Sequence, residues 1–297
     1  MRTAELTQSG LVVACFGNRG LLETASGAQL RYVLKGRKLR AVCGDRVAWD
    51  QGTAGGEARV TEILQRRNAL NRINNRGQTE ILASNLDQIL VVTAASPVTD
   101  FFLVDRFLCA AEILSIDAHI IWNKTDIQDV RPAELSEYRG LGYTVLATST
   151  MTNAGMGELE QLLATGVSML VGQSGVGKSS LINNLIPGTD ASVGEISTAT
   201  LEGKHTTTAS MMHKLPGGGQ LIDSPGVREF VPAIDTTARI QAGYREIVSL
   251  ADECRFTDCR HIREPGCAVK SALEQGKISA RRYESYKRLH LNAAPTQ

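Results

Sequence analysis

"GQSGVGKSS", residues 172–180, keeps the spacing G-x-x-x-x-G-K-[ST], and its reading decides what the rest of the chain can build. A short apolar run, "SMLV" (168–171), precedes it, and "SSLINNLI" (179–186) can continue as a helix. The glycines leave backbone N–H groups free to close on phosphate oxygens without interference from a Cβ. The helix N-terminus behind them favours anions. Gly172, Gln173, Ser174, Gly175, Val176, Gly177, Lys178, Ser179 and Ser180 are therefore expected to wrap the phosphates of a nucleoside triphosphate. Lys178 would reach the β- and γ-phosphates, and Ser179 would ligate magnesium.

Some fifty residues earlier stands "HIIWNKTDI", 119–127. Asn123, Lys124, Thr125 and Asp126 match N-K-x-D at the end of an expected strand. The Asp126 carboxylate can accept from guanine N1–H and from the exocyclic amine. Adenine offers a lone pair at N1 and lacks the amine, so a charge-assisted bond of about 1.5–3 kcal/mol would be lost. Asn123 would tie the motif to its neighbours and the Lys124 stem would cover the base. "ATST", 147–150, follows the next strand, and a backbone N–H of Thr148 or Ser149 could meet guanine O6.

"LIDSPG", 221–226, has the form D-x-x-G: Asp223 would hold magnesium and the Gly226 N–H would sense the γ-phosphate. Between Ser179 and Asp223 runs "GKHTTTAS", 203–210, where Thr207, with Thr206 next and Thr208 also open, is expected to bind magnesium when triphosphate is present. Val227 follows the D-x-x-G element and can neither donate nor accept. Water positioning must then fall to another group, and His205 is the nearest candidate.

The order of these motifs is reversed from the usual one, with the base reader ahead of the phosphate loop. In a doubly wound sheet, ligands bind beyond the carboxyl ends of the strands, so motifs that each follow a strand converge whatever their chain order. Moving the first set behind the second restores the familiar sequence, and "TNAGMGELEQLLATG" (152–166) would be the join. Strands are expected at 88–93, 119–122, 143–147, 168–171 and 220–222, with helices at 100–115 and 156–164. Such alternation predicts a parallel sheet covered on both faces. Ahead of it, residues 1–65 alternate β-rich runs with turn residues, as a small barrel would, of the oligonucleotide-binding (OB) kind or, second, SH3-like. Residues 66–78 read as a polar, basic linker, 79–230 as the nucleotide domain and 231–297 as a helical tail.

In that tail Cys254, Cys259, His261 and Cys267 form C-x4-C-x-H-x5-C, a donor set suited to one tetrahedral structural zinc ion. Cys15, Cys43 and Cys109 lack partners at ligand spacing and read as core residues. The 297-residue chain is 42% hydrophobic and 21% charged with a net charge of +1, values of a soluble globular protein. No stretch has the length of a signal peptide core or a membrane span, so a cytoplasmic location without membrane contact is expected. Basic residues cluster locally on the barrel (Arg31, Lys35, Arg37, Lys38, Arg40), on the linker (Arg66, Arg67, Arg72, Arg76) and on an expected helix (Arg281, Arg282, Lys287, Arg288). Selected faces would then meet a polyanion, RNA before DNA.

Barrel, NKTD, GQSGVGKSS, GKHTTT, DSPG and C-x4-C-x-H-x5-C in this order resemble the RsgA (YjeQ) family of small-ribosomal-subunit biogenesis GTPases. The resemblance covers nearly the whole chain. It implies a multidomain fold: an N-terminal OB-fold β-barrel, a circularly permuted α/β P-loop GTPase domain and a small helical zinc-binding C-terminal domain. It also implies GTP hydrolysis to GDP and phosphate, stimulated by the small ribosomal subunit during its late maturation, with rRNA as contact surface. The family has an apolar residue after D-x-x-G, as Val227 is here, and gives a catalytic part to the histidine at position 205. Lys178 and Thr207 complete the expected catalytic set. A monomer is expected. Two other classes compete: an RNA-binding module whose nucleotide only supports the fold, and a small-molecule kinase. The base reader disfavours the kinase.

Overall fold

The computed structural model describes residues 8–36, 38–51, 57–73, 76–128, 130–186, 210–223 and 237–292. Five strands come first: β1 (Gln8–Phe16), β2 (Arg19–Thr24), β3 (Gln29–Leu34), β4 (Arg46–Gln51) and β5 (Ala58–Ile63). They pair in the order β1-β2-β3-β5-β4, and β4 returns to β1, which closes the barrel. The β3–β5 pairing is parallel and the others are antiparallel. Such a five-stranded closed path is the OB arrangement, not the SH3-like one. A register shift between Val12 and Ala14 bends β1 so that it can serve two partners, as bulges do at barrel corners. Val12, Leu22, Tyr32, Val47, Trp49 and Val60 fill the interior.

The segment expected to be a plain linker, 66–78, contains a strand. β6 (Ala69–Ile73) pairs with β7 (Thr79–Ser84) as an antiparallel hairpin. Its polar sequence hides this because only Leu70 of β6 is deeply buried. The chain before it is pinned to the barrel by Asp45, which is fully buried and takes Arg66 at 2.6 Å, the Val42 N–H at 2.9 Å and the Ser84 hydroxyl at 2.6 Å.

The second layer system uses β8 (Gln88–Ala94), β9 (Asp117–Asn123), β10 (Thr144–Ala147), β11 (Val167–Val171), β12 (Ser210–Lys214) and β13 (Gln220–Asp223). Their order is β10-β9-β8-β11-β13-β12, parallel except for β12. Counted from β11, the order reads second, third, first, fourth, fifth, sixth from the β12 edge, so the sheet is that of a P-loop domain whose chain has been cut elsewhere. β8 is buried along its whole length, as a central strand covered on both faces must be. Ile89 and Val91 pack under α1 (Phe101–Leu114) and α2 (Glu134–Gly140). Leu90 and Val92 pack under α3 (Met156–Leu163) and α4 (Lys178–Leu185). β12 also pairs with β1, through Ala14 with Met211 and Cys15 with Ser210, so barrel and sheet are one continuous ladder.

The tail is helical: α5 (Thr237–Ala242), α6 (Arg245–Ala251), α7 (Ala268–Glu274) and α8 (Ala280–Asn292). Ile240, Tyr244, Ile247, Val269 and Tyr286 form its core and extend it onto Cys109 of α1. Among the described residues no helix is long and apolar enough to cross a membrane.

Candidate nucleotide site and metal centre

β11 ends at Val171, and the glycine loop turns at once into α4. Gly172 and Gly177 have φ of 135° and 97°, in the region that suits glycine. A Cβ at Gly172 would run into the Val92 carbonyl of β8, and one at Gly177 into the Asn123 amide of β9. The loop therefore lies flat on two neighbouring strand ends only because both positions are glycine. Lys178 is nearly buried and bonds the carbonyl of Gly172 at 2.7 Å and that of Gln173 at 2.5 Å, so its ammonium is held inside the loop. Gln173 takes the Asp100 N–H at 2.9 Å, and Asp100 caps the N-terminus of α1 by accepting from Phe102 N at 2.9 Å.

The N-K-x-D residues meet this loop directly. Asn123, buried at the end of β9, donates to the Val176 carbonyl at 3.0 Å and accepts from the Thr148 hydroxyl at 3.1 Å. Lys124 adopts φ 62° and reaches across to the Gly175 carbonyl at 2.5 Å and the Ser96 carbonyl at 3.0 Å. Thr125 donates through N–H and hydroxyl to the Thr148 carbonyl, both at 3.2 Å. Asp126 stands exposed, its Oδ1 accepting the Ser149 hydroxyl at 2.5 Å. Ser149 is fully buried and also accepts the N–H groups of Met151 and Thr152 at 3.2 Å, which fixes the hydroxyl and thereby the carboxylate.

One expectation fails. The Thr148 N–H is spent on the Trp122 carbonyl at 2.8 Å and the Ser149 N–H on the Ala154 carbonyl at 2.9 Å, so neither can serve guanine O6. Ser149 instead contacts Asp126 through its hydroxyl, a bond that four degenerate residues could not announce. Asp223 closes β13, two strands from β8, again at a carboxyl end. Thr206, Thr207, Thr208, His205, Gly226 and Val227 lie outside the described residues.

In the tail, Cys254, Cys259, His261 and Cys267 converge with all ligand atoms within 4.8 Å of one another. Cys254 and Cys267 Sγ are 4.0 Å apart, and each is 3.5 Å from His261 Nδ1. A tetrahedral ion with ordinary Zn–S and Zn–N bonds needs edges of about 3.8 Å and about 3.5 Å, so the donors already span such an ion. His261 sits at φ 58°, and Tyr283 holds its carbonyl at 2.7 Å. The four residues are a metal-binding cluster.

A family model described as RsgA GTPase matches residues 63–232, more than half of the chain. A protein of Azotobacter vinelandii named small ribosomal subunit biogenesis GTPase RsgA is 43% identical over 291 residues, covering 95% of this chain and 84% of its own length. The chain belongs to the RsgA GTPase family. A relative of the same name from Pseudomonas aeruginosa is 43% identical over 287 residues with the same coverage, and one from Actinobacillus pleuropneumoniae is 40% identical over 291 residues. The crystal structure of YjeQ from Thermotoga maritima superposes with a TM-score of 0.73 at 28% identity, over 98% of this chain and 100% of that one. YloQ, described as a circularly permuted GTPase, superposes with a TM-score of 0.72 at 23% identity over 100% and 99% of the two chains, and shares the fold. An RsgA GTPase of this architecture explains the reversed motif order.

Several basic residues expected to face a polyanion are buried or already paired in this RsgA-family chain. Arg282 is 1% exposed, and Arg66, Arg72 and Arg281 are each paired with a carboxylate. Lys287 and Arg288 face Glu284 on their own helix. Arg31, Lys35, Lys38 and Arg40 on the barrel are exposed, and Arg37 lies outside the described residues.

Proposed function

We propose that this chain hydrolyses GTP to GDP and phosphate while engaged with the small ribosomal subunit and assists that particle's late maturation. The observation that carries the reading is the bond from Asn123 to the Val176 carbonyl: base reader and phosphate loop are one surface. The names borne by relatives at 43% identity support the ribosomal partner.

On this reading Asp126, oriented by Ser149, takes the two guanine N–H groups, and the Lys124 stem covers the base plane. Backbone N–H groups of 172–180 take the phosphates, with Lys178 moving its ammonium from loop carbonyls to β- and γ-oxygens. Ser179, Asp223 and Thr207 would hold magnesium, which supplies charge neutralisation at the phosphates. Gly226 would sense the γ-phosphate, and His205 would position water where Val227 cannot. The C-terminal cluster would hold one structural zinc ion, the donor set of three thiolates and an imidazole being suited to it. The remaining parts of the proposal are rRNA contact through exposed barrel cations, a cytoplasmic location and a monomeric state.

The test is phosphate release from GTP and from ATP, each with and without purified small subunits. Turnover of GTP alone, raised by the subunits, is expected. Equal use of ATP would remove Asp126 as reader, and no acceleration at any subunit concentration would favour an RNA-binding module that merely carries its nucleotide.

A further inference from the structure

Cys15 and Cys43 have no ligand-spaced partner in the sequence, yet folding brings them together. Cys15 lies on β1 and Cys43 in the turn that leads into β4. The two segments clasp. Cys15 Sγ donates to the Ala41 carbonyl at 3.5 Å, and Cys43 Sγ donates to the Val13 carbonyl at 3.6 Å. Each sulfur thus lies over a residue two positions from the other cysteine. The Tyr32 hydroxyl stands 3.4 Å from Cys15 Sγ. Cys43 also donates to the carbonyl of Ser210, the first residue of β12, at 3.2 Å.

Their surroundings divide the labour. Cys15 is partly open to solvent, whereas Cys43 is fully buried. The neighbouring Cys43 and Tyr32 hold the Cys15 thiol below its ordinary range, and the neighbouring Cys15 together with burial pushes Cys43 well above. A thiolate within reach of solvent attacks, and a buried thiol beside it resolves.

We propose that Cys15 and Cys43 are a redox-active dithiol at the seam between barrel and nucleotide domain, closed to a disulfide by a low-molecular-weight disulfide. With oxidised glutathione, the Cys15 thiolate attacks one sulfur and the glutathione S–S bond breaks. One glutathione thiolate leaves with the electron pair. Cys43 then gives up its proton and attacks Cys15 Sγ, displacing the second glutathione. The two cysteine protons end on two glutathione thiols, and the dithiol has lost two electrons to the disulfide. Closure removes the Cys43 S–H, and with it the bond to Ser210 on the strand that leads through β13 to Asp223.

Trypsin places the two thiols on separate peptides, 3–19 and 41–46, each with a single cysteine. Full-length, metal-loaded protein would be treated with oxidised glutathione and digested without reduction. The expected product is peptide 3–19 joined to 41–46. In Cys43→Ser the expected product is peptide 3–19 carrying glutathione, and in Cys15→Ser peptide 41–46 should stay free. Wild-type protein also gives a readout without any variant: brief iodoacetamide should alkylate Cys15 at least ten times faster than Cys43 or Cys109. The proposal is overturned by wild-type peptides 3–19 and 41–46 that remain reduced, by Cys43 reacting equally well in Cys15→Ser, or by equal alkylation of the three thiols.

Discussion

The barrel and the metal domain both attach to the nucleotide domain, by different chemistry. Along β12 the barrel joins through main-chain pairing at Ala14–Met211 and Cys15–Ser210, one thiol bond, and an ion pair of Lys214 with Glu23 at 2.8 Å whose lysine is 62% exposed. The metal domain joins through charges removed from water. Asp105 of α1, fully buried, takes Arg282 at 2.8 Å on one oxygen and Arg281 at 2.8 Å on the other. The Tyr138 hydroxyl donates to the same carboxylate at 2.6 Å, and Glu246 closes the far side of Arg282 at 2.7 Å. Tyr244 lies under the Arg282 guanidinium at 4.5 Å. Strand pairing uses groups every residue carries, so it tolerates side-chain change. Buried ion pairs do not, because removing one partner strands the other.

The largest effect should come from taking away the metal. Four metal-binding residues serve a domain too small to rely on its own core, and a structural metal contributes on the order of 10 kcal/mol or more in such modules. A strong chelator at neutral pH is expected to abolish hydrogen-exchange protection in 245–290 while leaving the barrel strands protected. Protection retained in 245–290 would mean that the Asp105 network alone holds the tail.

Next in size is Asp105→Ala. Arg282 would keep Glu246 but lose the carboxylate facing it inside the protein, at a cost of about 3–5 kcal/mol. Urea midpoints at fixed slope would read it. The matching change at the other seam, Glu23→Gln, should cost at most about 1 kcal/mol, since its partner is solvated. Equal losses would erase the distinction between the seams.

This contrast bears on what could be read in the sequence. The phosphate loop, NKTD and the metal ligands were legible because their chemistry is local: spacing alone sets backbone N–H groups or four donors within reach. Strands β8, β9 and β11 were legible because apolar runs mark centrally buried strands. β12 was not, since "SMMHK" carries little apolar signal and is held by its partners β13 and β1. The 66–78 segment hid a strand for a similar reason, with Leu70 the one deeply buried among its described residues. Arg281 and Arg282 read as a basic surface because composition does not say which face of α8 meets α1. The N–H groups of Thr148 and Ser149 looked free because their use by the Trp122 and Ala154 carbonyls is tertiary information.

The smallest expected effect distinguishes the seams by pH. His213 on β12 is held below the ordinary imidazole range by burial, with Asp223 opposing. The unfolded chain therefore binds more protons than the folded one as pH falls through the unfolded value of about 6.5, and stability must rise with pH across that window. The contribution is complete above that value. It declines below it by at most about 1.4 kcal/mol per pH unit for one group, until the folded imidazole also protonates. The arginines of the other seam do not titrate in this range. Lowering the pH from about 7.5 to about 5.5 should thus cost wild-type protein more stability than His213→Gln, with His119, also depressed by burial, contributing equally to both. Parallel stability curves for the two proteins would mean that β12 releases its histidine to water before the fold is lost, and the barrel seam would then be looser than its strand pairing implies.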